Sequence, residues 1–216
     1  TPVVAMAAKF TGGETDDCTV SAYGYNPELM STSPFTGAVY SIVTSVAKVV
    51  AAGGKCEDIR LTLQEFFMRL REDKKRWGVP LSALLGALYA QINLGLGAIG
   101  GKDSMSGTFE DIDVPPTLIS FALAPAKASK LITNLISQKR EKLWLLPMKK
   151  DSAFIPDFEY LKKLYAFVNA NIANGKIKFA TVAEKGGAVA AVSKSCFGNG
   201  FGFEFECDKN TLFNER

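Results

Sequence analysis

Between residues 37 and 52 the apolar positions are Val39, Ile42, Val43, Val46, Val49 and Val50, the spacing of one helix face. The β-branched side chains argue locally for strand, but the periodicity predicts a helix that Gly53-Gly54 stops. A second helical stripe is Leu81, Leu84, Leu85, Leu88 and Ile92, with Pro80 read as its opening residue. Alternation and aromatics over Cys18 to Tyr25 predict a strand. Asn26-Pro27 and Ser33-Pro34 read as loop punctuation. Ile59 to Leu63 predicts a short strand, with Gln64 and Glu65 just past its end. Residues 66–78 are charged with interleaved Phe and Met, and read as an exposed helix or an insertion. Thr117 to Leu123 predicts another strand, and residues 1–17 a loose lead-in.

Pro125 marks a boundary. Before it the elements run β-α-β-α-β-β. After it the predicted order is a helix over Lys127 to Ser137, a buried strand over Lys142 to Met148, and a helix over Asp157 to Asn174. A strand over Ile177 to Ala183, a helix over Gly186 to Cys196 and a strand over Gly202 to Glu206 follow. Helices alternating with apolar strands predict an α/β layer. The chain therefore divides into an α+β unit at 1–125 and the first part of an α/β unit at 126–216.

Composition narrows the function. The 216 residues carry a net charge of +3 with scattered basic residues, which gives no one-signed stripe for nucleic acid. Histidine is absent, which excludes Ser-His and Cys-His catalysis and His-ligated zinc within this sequence. The four cysteines, Cys18, Cys56, Cys196 and Cys207, form no C-x-x-C pair and read as reduced thiols of a cytoplasmic protein. No 18-residue apolar run predicts a membrane span. The sequence starts at Thr1 and stops at Arg216 without an evident capping element, so we expect a segment of a longer polypeptide.

The candidate chemistry is concentrated at Ala98-Ile-Gly-Gly-Lys-Asp-Ser-Met-Ser-Gly-Thr-Phe109. Gly100 and Gly101 allow a tight turn that brings bare N–H groups to a surface. Lys102, Asp103, Ser104 and Ser106 add a cation, a possible metal ligand and hydroxyls at one point. That inventory suits a magnesium-bound phosphate ester; the alternative is a β-hairpin with a polar turn. Gly95-Leu-Gly97-Ala-Ile-Gly100 matches the dinucleotide fingerprint as letters, but a helix precedes it and a strand follows, the reverse of what that motif needs. A Walker A loop fails at Leu96 and Asp103. The acidic group Glu110, Asp111 and Asp113 reads as a magnesium site or, preferably, a solvated rim. Glu184-Lys-Gly-Gly187 reads as a tight turn into a helix rather than an anion site.

Several of these stretches together resemble one family. Gly100-Gly-Lys-Asp-Ser-Met-Ser106, followed by Asp113-Val-Pro-Pro-Thr-Leu-Ile-Ser-Phe-Ala122, resembles phosphoribosylformylglycinamidine synthase. Ser21-Ala-Tyr-Gly-Tyr-Asn-Pro27, Val46-Ala-Lys-Val-Val-Ala-Ala-Gly-Gly54 and Arg76-Trp-Gly78 resemble its large single-chain bacterial form. Ala183-Glu-Lys-Gly-Gly-Ala-Val-Ala-Ala-Val-Ser193 with Cys196-Phe-Gly-Asn199 resembles the segment that opens a helix in the later α/β domain.

The resemblance implies an aminoimidazole ribonucleotide synthase-like fold: an N-terminal α+β domain with a mixed sheet, followed by a truncated α/β domain. It implies a fragment of an ATP- and glutamine-dependent C–N ligase that converts formylglycinamide ribonucleotide to formylglycinamidine ribonucleotide in de novo purine synthesis. In that family ATP activates the amide oxygen as a phosphoryl imidate, and ammonia displaces the phosphate. Gly100 and Gly101 would approach the nucleotide, Lys102 or Asp103 would lie near magnesium, and Ser104 near the substrate phosphate. Gln64 falls where relatives carry a polar residue. Mg2+ and ATP would be shared with the missing half, and the partners would be that half and a glutaminase domain of the same polypeptide. Relatives with an auxiliary nucleotide site carry metal ligands where this chain has Ser45, Val49, Val182 and Glu184, which implies a lost or altered site. The alternatives are a non-catalytic half that braces a partner domain, or another ATP enzyme of the same superfamily.

Overall fold

The computed structural model describes residues 4–213. Its centre is a five-stranded mixed sheet in the order β1-β2-β7-β3-β4. The strands are β1 (Met6–Lys9), β2 (Asp17–Gly24), β3 (Arg60–Phe66), β4 (Ala98–Ser104) and β7 (Thr117–Lys127). Only β3 and β4 are parallel; the other neighbours are antiparallel. A hairpin of β5 (Thr108–Phe109) and β6 (Ile112–Asp113) stands beside the sheet.

The inner strands bury one side. On β7 the buried side is Leu118, Ser120, Ala122 and Ala124, while Phe121 and Leu123 are exposed on the other. This is the period-2 pattern of a half-covered antiparallel sheet. The cover is α2 (Pro34–Ala51), whose Val39, Ile42, Val46 and Val49 are fully buried. This 18-residue helix is long and apolar enough on average to cross a membrane, but it is the core helix here, mostly buried against the sheet. The pairs Asn26-Pro27 and Ser33-Pro34 are helix starts rather than loop. Asn26 caps α1 (Pro27–Thr32) by accepting from the Leu29 N–H, and Ser33 caps α2 by accepting from the Thr36 N–H, each with proline in the first turn.

The predicted second helix differs in start and in facing. As α3 (Lys74–Leu94) it begins six residues before Pro80, capped by Asp73, and Pro80 lies inside it. The Leu81, Leu84, Leu85, Leu88 and Ile92 stripe is exposed, and the buried face is Ala83, Gly86, Ala87, Ala90 and Leu94. Helix α3 packs on α2 at backbone distance: a Cβ on Gly86 would stand 2.2 Å from the Phe35 carbonyl oxygen. Small side chains are required there, so the leucines turn outward.

The lead-in also differs, because Met6–Lys9 pairs with β2 through backbone bonds alone while its side chains stay exposed. Strand β7 runs through Pro125 to Lys127. Its pairing with β3 stops at Leu123, so proline meets no ladder partner on that side.

Beyond residue 127 the helices α4 (Phe158–Ala173) and α5 (Gly187–Phe197) form as predicted, and a short α6 (Lys209–Phe213) follows. The predicted helix over Lys127 to Ser137 is a single 3-10 turn (Ala128–Lys130). The predicted strands over Lys142 to Met148, Ile177 to Ala183 and Gly202 to Glu206 are not formed; two isolated bridges, Thr133 to Phe179 and Lys150 to Pro156, are the nearest to a ladder. An apolar run becomes a strand only beside a partner that takes its N–H and C=O groups. Trp144, 83% exposed, shows the first of these runs lying on the surface. Helix α4 is joined to the first unit, with Phe158, Leu161 and Tyr165 in the same core as α2.

Candidate functional site

The glycine-rich stretch is strand, not turn. Gly100 to Ser104 belongs to β4, at the edge of the sheet and parallel to β3, and neither glycine has positive φ. The register sets Leu63 beside Gly101, Gln64 beside Lys102, Glu65 beside Asp103 and Phe66 beside Ser104. Gln64 and Glu65 are therefore inside β3, not past its end. Alternation then divides the predicted site residues. Gln64, Gly100, Lys102 and Ser104 line the open face of the sheet, whereas Glu65 and Asp103 lie on the helix-covered side. The sequence brought six candidates to one point; the sheet places them at one edge but on two faces.

The two glycines serve different ends. A Cβ on Gly101 would stand 2.4 Å from the Leu63 carbonyl oxygen, so the close approach of β3 and β4 requires glycine there. A Cβ on Gly100 would meet nothing within 4 Å, which leaves bare backbone facing open space. All of β4 up to Asp103 is exposed. The strands then end in a short link: the Phe67 N–H donates to the Ser104 carbonyl and the Gly107 N–H to the Phe67 carbonyl. The Ser104 and Ser106 hydroxyls stand 3.4 Å apart at this end. The two best-defined clefts lie elsewhere, one of about 280 Å³ between residues 136–143 and 200–203 and one of about 290 Å³ around residues 129–132 and 172–178. The β4 edge is an open ledge, not a closed pocket.

Glu65 carries no signal that sequence reasoning used beyond its position. It is 4% exposed, and its Oε1 is buried with no hydrogen-bond partner. Burial first, and the Asp103 carboxylate second, push its pKa up to about 7.

Within the acidic group at 110–113, Asp113 is structural. Asp113 accepts from the Arg76 Nη2 at 2.8 Å and from the Thr108 hydroxyl at 2.6 Å, which holds its carboxyl below the usual range. The Arg69 N–H donates to the same Thr108 oxygen, and the Arg76 Nε donates to the Arg69 carbonyl. These bonds pin the β5–β6 hairpin to the start of α3. No group of three or more His, Cys, Asp or Glu suited to a metal occurs among the described residues.

Of the four residues expected at an altered auxiliary site, Ser45, Val49 and Glu184 are engaged within the protein. The Ser45 hydroxyl meets the Ser120 hydroxyl at 2.9 Å, and Val49 is fully buried. Glu184 pairs with the Lys48 ammonium at 2.9 Å, and Lys48 also donates to the Tyr23 carbonyl. Gly186 and Gly187 both have positive φ, the tight turn expected before α5. Burial and then Glu57 push the Cys56 thiol up to about 11, which keeps it protonated and unreactive at neutral pH.

No protein-family profile matches this chain, and no curated protein matches it. Solved structures do. It is similar to PurL of Thermotoga maritima complexed with AMPPCP, with a TM-score of 0.69 and 14% identity over 97% of this chain and 34% of that one. PurL of the same organism complexed with FGAR gives a TM-score of 0.62 and 16% identity over 90% of this chain and 29% of that one. Phosphoribosylformylglycinamidine synthase II from Thermotoga maritima gives 0.58 and 17%, over 79% of this chain and 26% of that one. This chain thus spans about a third, or less, of the length of the structures it matches. By these likenesses the chain has the fold of a segment of the phosphoribosylformylglycinamidine synthase II structures that it resembles.

Proposed function

We propose that this chain is part of the synthetase core of a phosphoribosylformylglycinamidine synthase, and that it supplies one wall of a site where an ATP-dependent ligase turns an amide into an amidine. One observation carries the reading. Two adjacent parallel strands, β3 and β4, come together at a sheet edge that is exposed along β4 as far as Asp103. Bare backbone at Gly100 accommodates a close phosphate or ribose, and Lys102 offers it a cation. Gln64 and Ser104 offer hydrogen bonds from the same face. Asp103, on the covered side of the same edge strand, is the residue of this set that would hold magnesium, with a phosphate reaching it round the β4 rim, and the buried, unpartnered oxygen of Glu65 lies on that side too. When bound, the ion would neutralise phosphate charge and fix its orientation. Glutamine as the nitrogen donor, a glutaminase domain and the rest of the core as partners, and a cytoplasmic setting belong to the same proposal. So does the division into an α+β unit at 1–125 and the start of an α/β unit at 126–216. No nucleic acid or membrane has a part in it.

A second reading is a bracing half without chemistry of its own. The unpartnered sheet face around Phe121 and Leu123, and the outward leucines of α3, favour it. The two readings part at Asp103. In the polypeptide that contains this chain, Asp103→Asn lowers turnover by at least about tenfold if the carboxylate places the metal. Unchanged turnover supports the bracing role.

A further inference from the structure

Glu65 is unlike the other buried polar side chains. Ser41, Ser45, Lys48, Ser120 and Ser195 all hold hydrogen bonds, whereas the Glu65 Oε1 holds none. Its neighbours make this worse. The sheet register places the apolar Leu118 of β7 on one side of Glu65 and the Asp103 carboxylate of β4 on the other. A buried polar oxygen without a partner, and a second carboxylate beside it, both cost free energy. As a purely structural arrangement the pair is unfavourable in both respects. A cation between the two groups removes both objections at once.

The donor set also selects the cation. Adjacent strands lie about 4.8 Å apart, so two carboxylates in register reach one ion. No third His, Cys, Asp or Glu completes a protein cage among the described residues. Zinc sites want nitrogen or sulfur donors, and calcium sites want six to eight oxygens, largely from protein. Magnesium takes one or two carboxylates and fills its octahedron with water and phosphate oxygens. We propose that Glu65 and Asp103 together bind one divalent cation of the magnesium type, Glu65 from under the covered side of the sheet and Asp103 from its exposed rim. The phosphate oxygens that would complete the shell rest on the nucleotide reading above; the two-carboxylate site rests on the register and on Glu65 alone.

The test is titration of Mn2+ alone onto the 216-residue chain at pH 8, with free Mn2+ read by electron paramagnetic resonance. The proposal expects one Mn2+ per chain, and at least about tenfold weaker binding in both Glu65→Gln and Asp103→Asn. Asp111→Asn, on the exposed hairpin, binds as the parent does. Circular dichroism melting checks that Glu65→Gln remains folded. Parent-like Mn2+ binding in Glu65→Gln, or no binding by the parent, overturns the proposal. If Mn2+ binds as expected while Asp103→Asn keeps full turnover in the longer polypeptide, the cation site stands and the amidine-forming reading falls. If Asp103→Asn abolishes turnover while Glu65→Gln leaves Mn2+ binding intact, the reading stands and this inference falls.

Discussion

At the scale of single residues the account turns on which side of a strand a side chain takes. Glu65 and Gln64 are adjacent in sequence and on opposite faces in the sheet, so one is a buried anomaly and the other a surface group. The Glu65 anomaly has a measurable pH signature without metal. Its ordinary pKa of 4.5 holds in the unfolded chain, and about 7 holds in the folded one. Between those values the folded state keeps a proton that the unfolded state has lost, so stability falls as pH rises and the full penalty is present above pH 7. Glu65→Gln removes the penalty. In EDTA, denaturant unfolding should show the variant more stable than the parent by about 1–3 kcal/mol at pH 8, the cost of ionising a carboxyl whose folded pKa is raised. The difference should be much smaller near pH 5. An equal difference at both values would mean that ionisation of Glu65 is not its source. The sequence did mark Gly100, Gly101, Lys102, Asp103, Ser104 and Gln64 as a group, because such residue types cluster rarely. It did not reveal that Gly101 answers to the Leu63 carbonyl while Gly100 answers to nothing, since that difference exists only once two strands are side by side.

At the scale of elements, helix α3 teaches the clearest lesson. Two stripes in it fit the helical period, one of leucines and one of Ala83, Gly86, Ala87 and Ala90. Hydrophobicity alone chooses the leucines. The structure chooses the small residues, because α2 and α3 approach so closely that larger side chains have no room. Two substitutions read this directly. Gly86→Ala forces a methyl into the Phe35 carbonyl and should destabilise by about 1–3 kcal/mol. Leu88→Gln, on the outer face, should change stability by no more than about 0.5 kcal/mol. Thermal melts that reverse this order would place the packed face on the leucine side. Helices α2, α4 and α5 were legible from their apolar spacing. Strand β1 was not, because its side chains are exposed and only backbone bonds hold it.

At the scale of the whole molecule, the α+β order β-α-β-α-β-β was readable and the sheet follows it, with β1 and a small hairpin added. The second unit was over-read. Three apolar runs there look like strands by composition, yet none has a ladder partner among the described residues. The first unit leaves its own surfaces open in turn: one sheet face, the β4 edge and the leucine side of α3. An open sheet edge and open apolar surfaces in one chain support the proposal that more protein completes a site there. The chain's coverage of 26–34% of the solved structures it resembles leaves ample room for such a complement.

The most direct measurement is a calorimetric titration of AMPPCP with Mg2+ onto this chain, alone and mixed with the remainder of the synthetase core. A shared site predicts weak or no heat for the chain alone, and a magnesium-dependent isotherm for the mixture that Asp103→Asn removes. An isotherm in the mixture that is unchanged by Asp103→Asn would contradict the account.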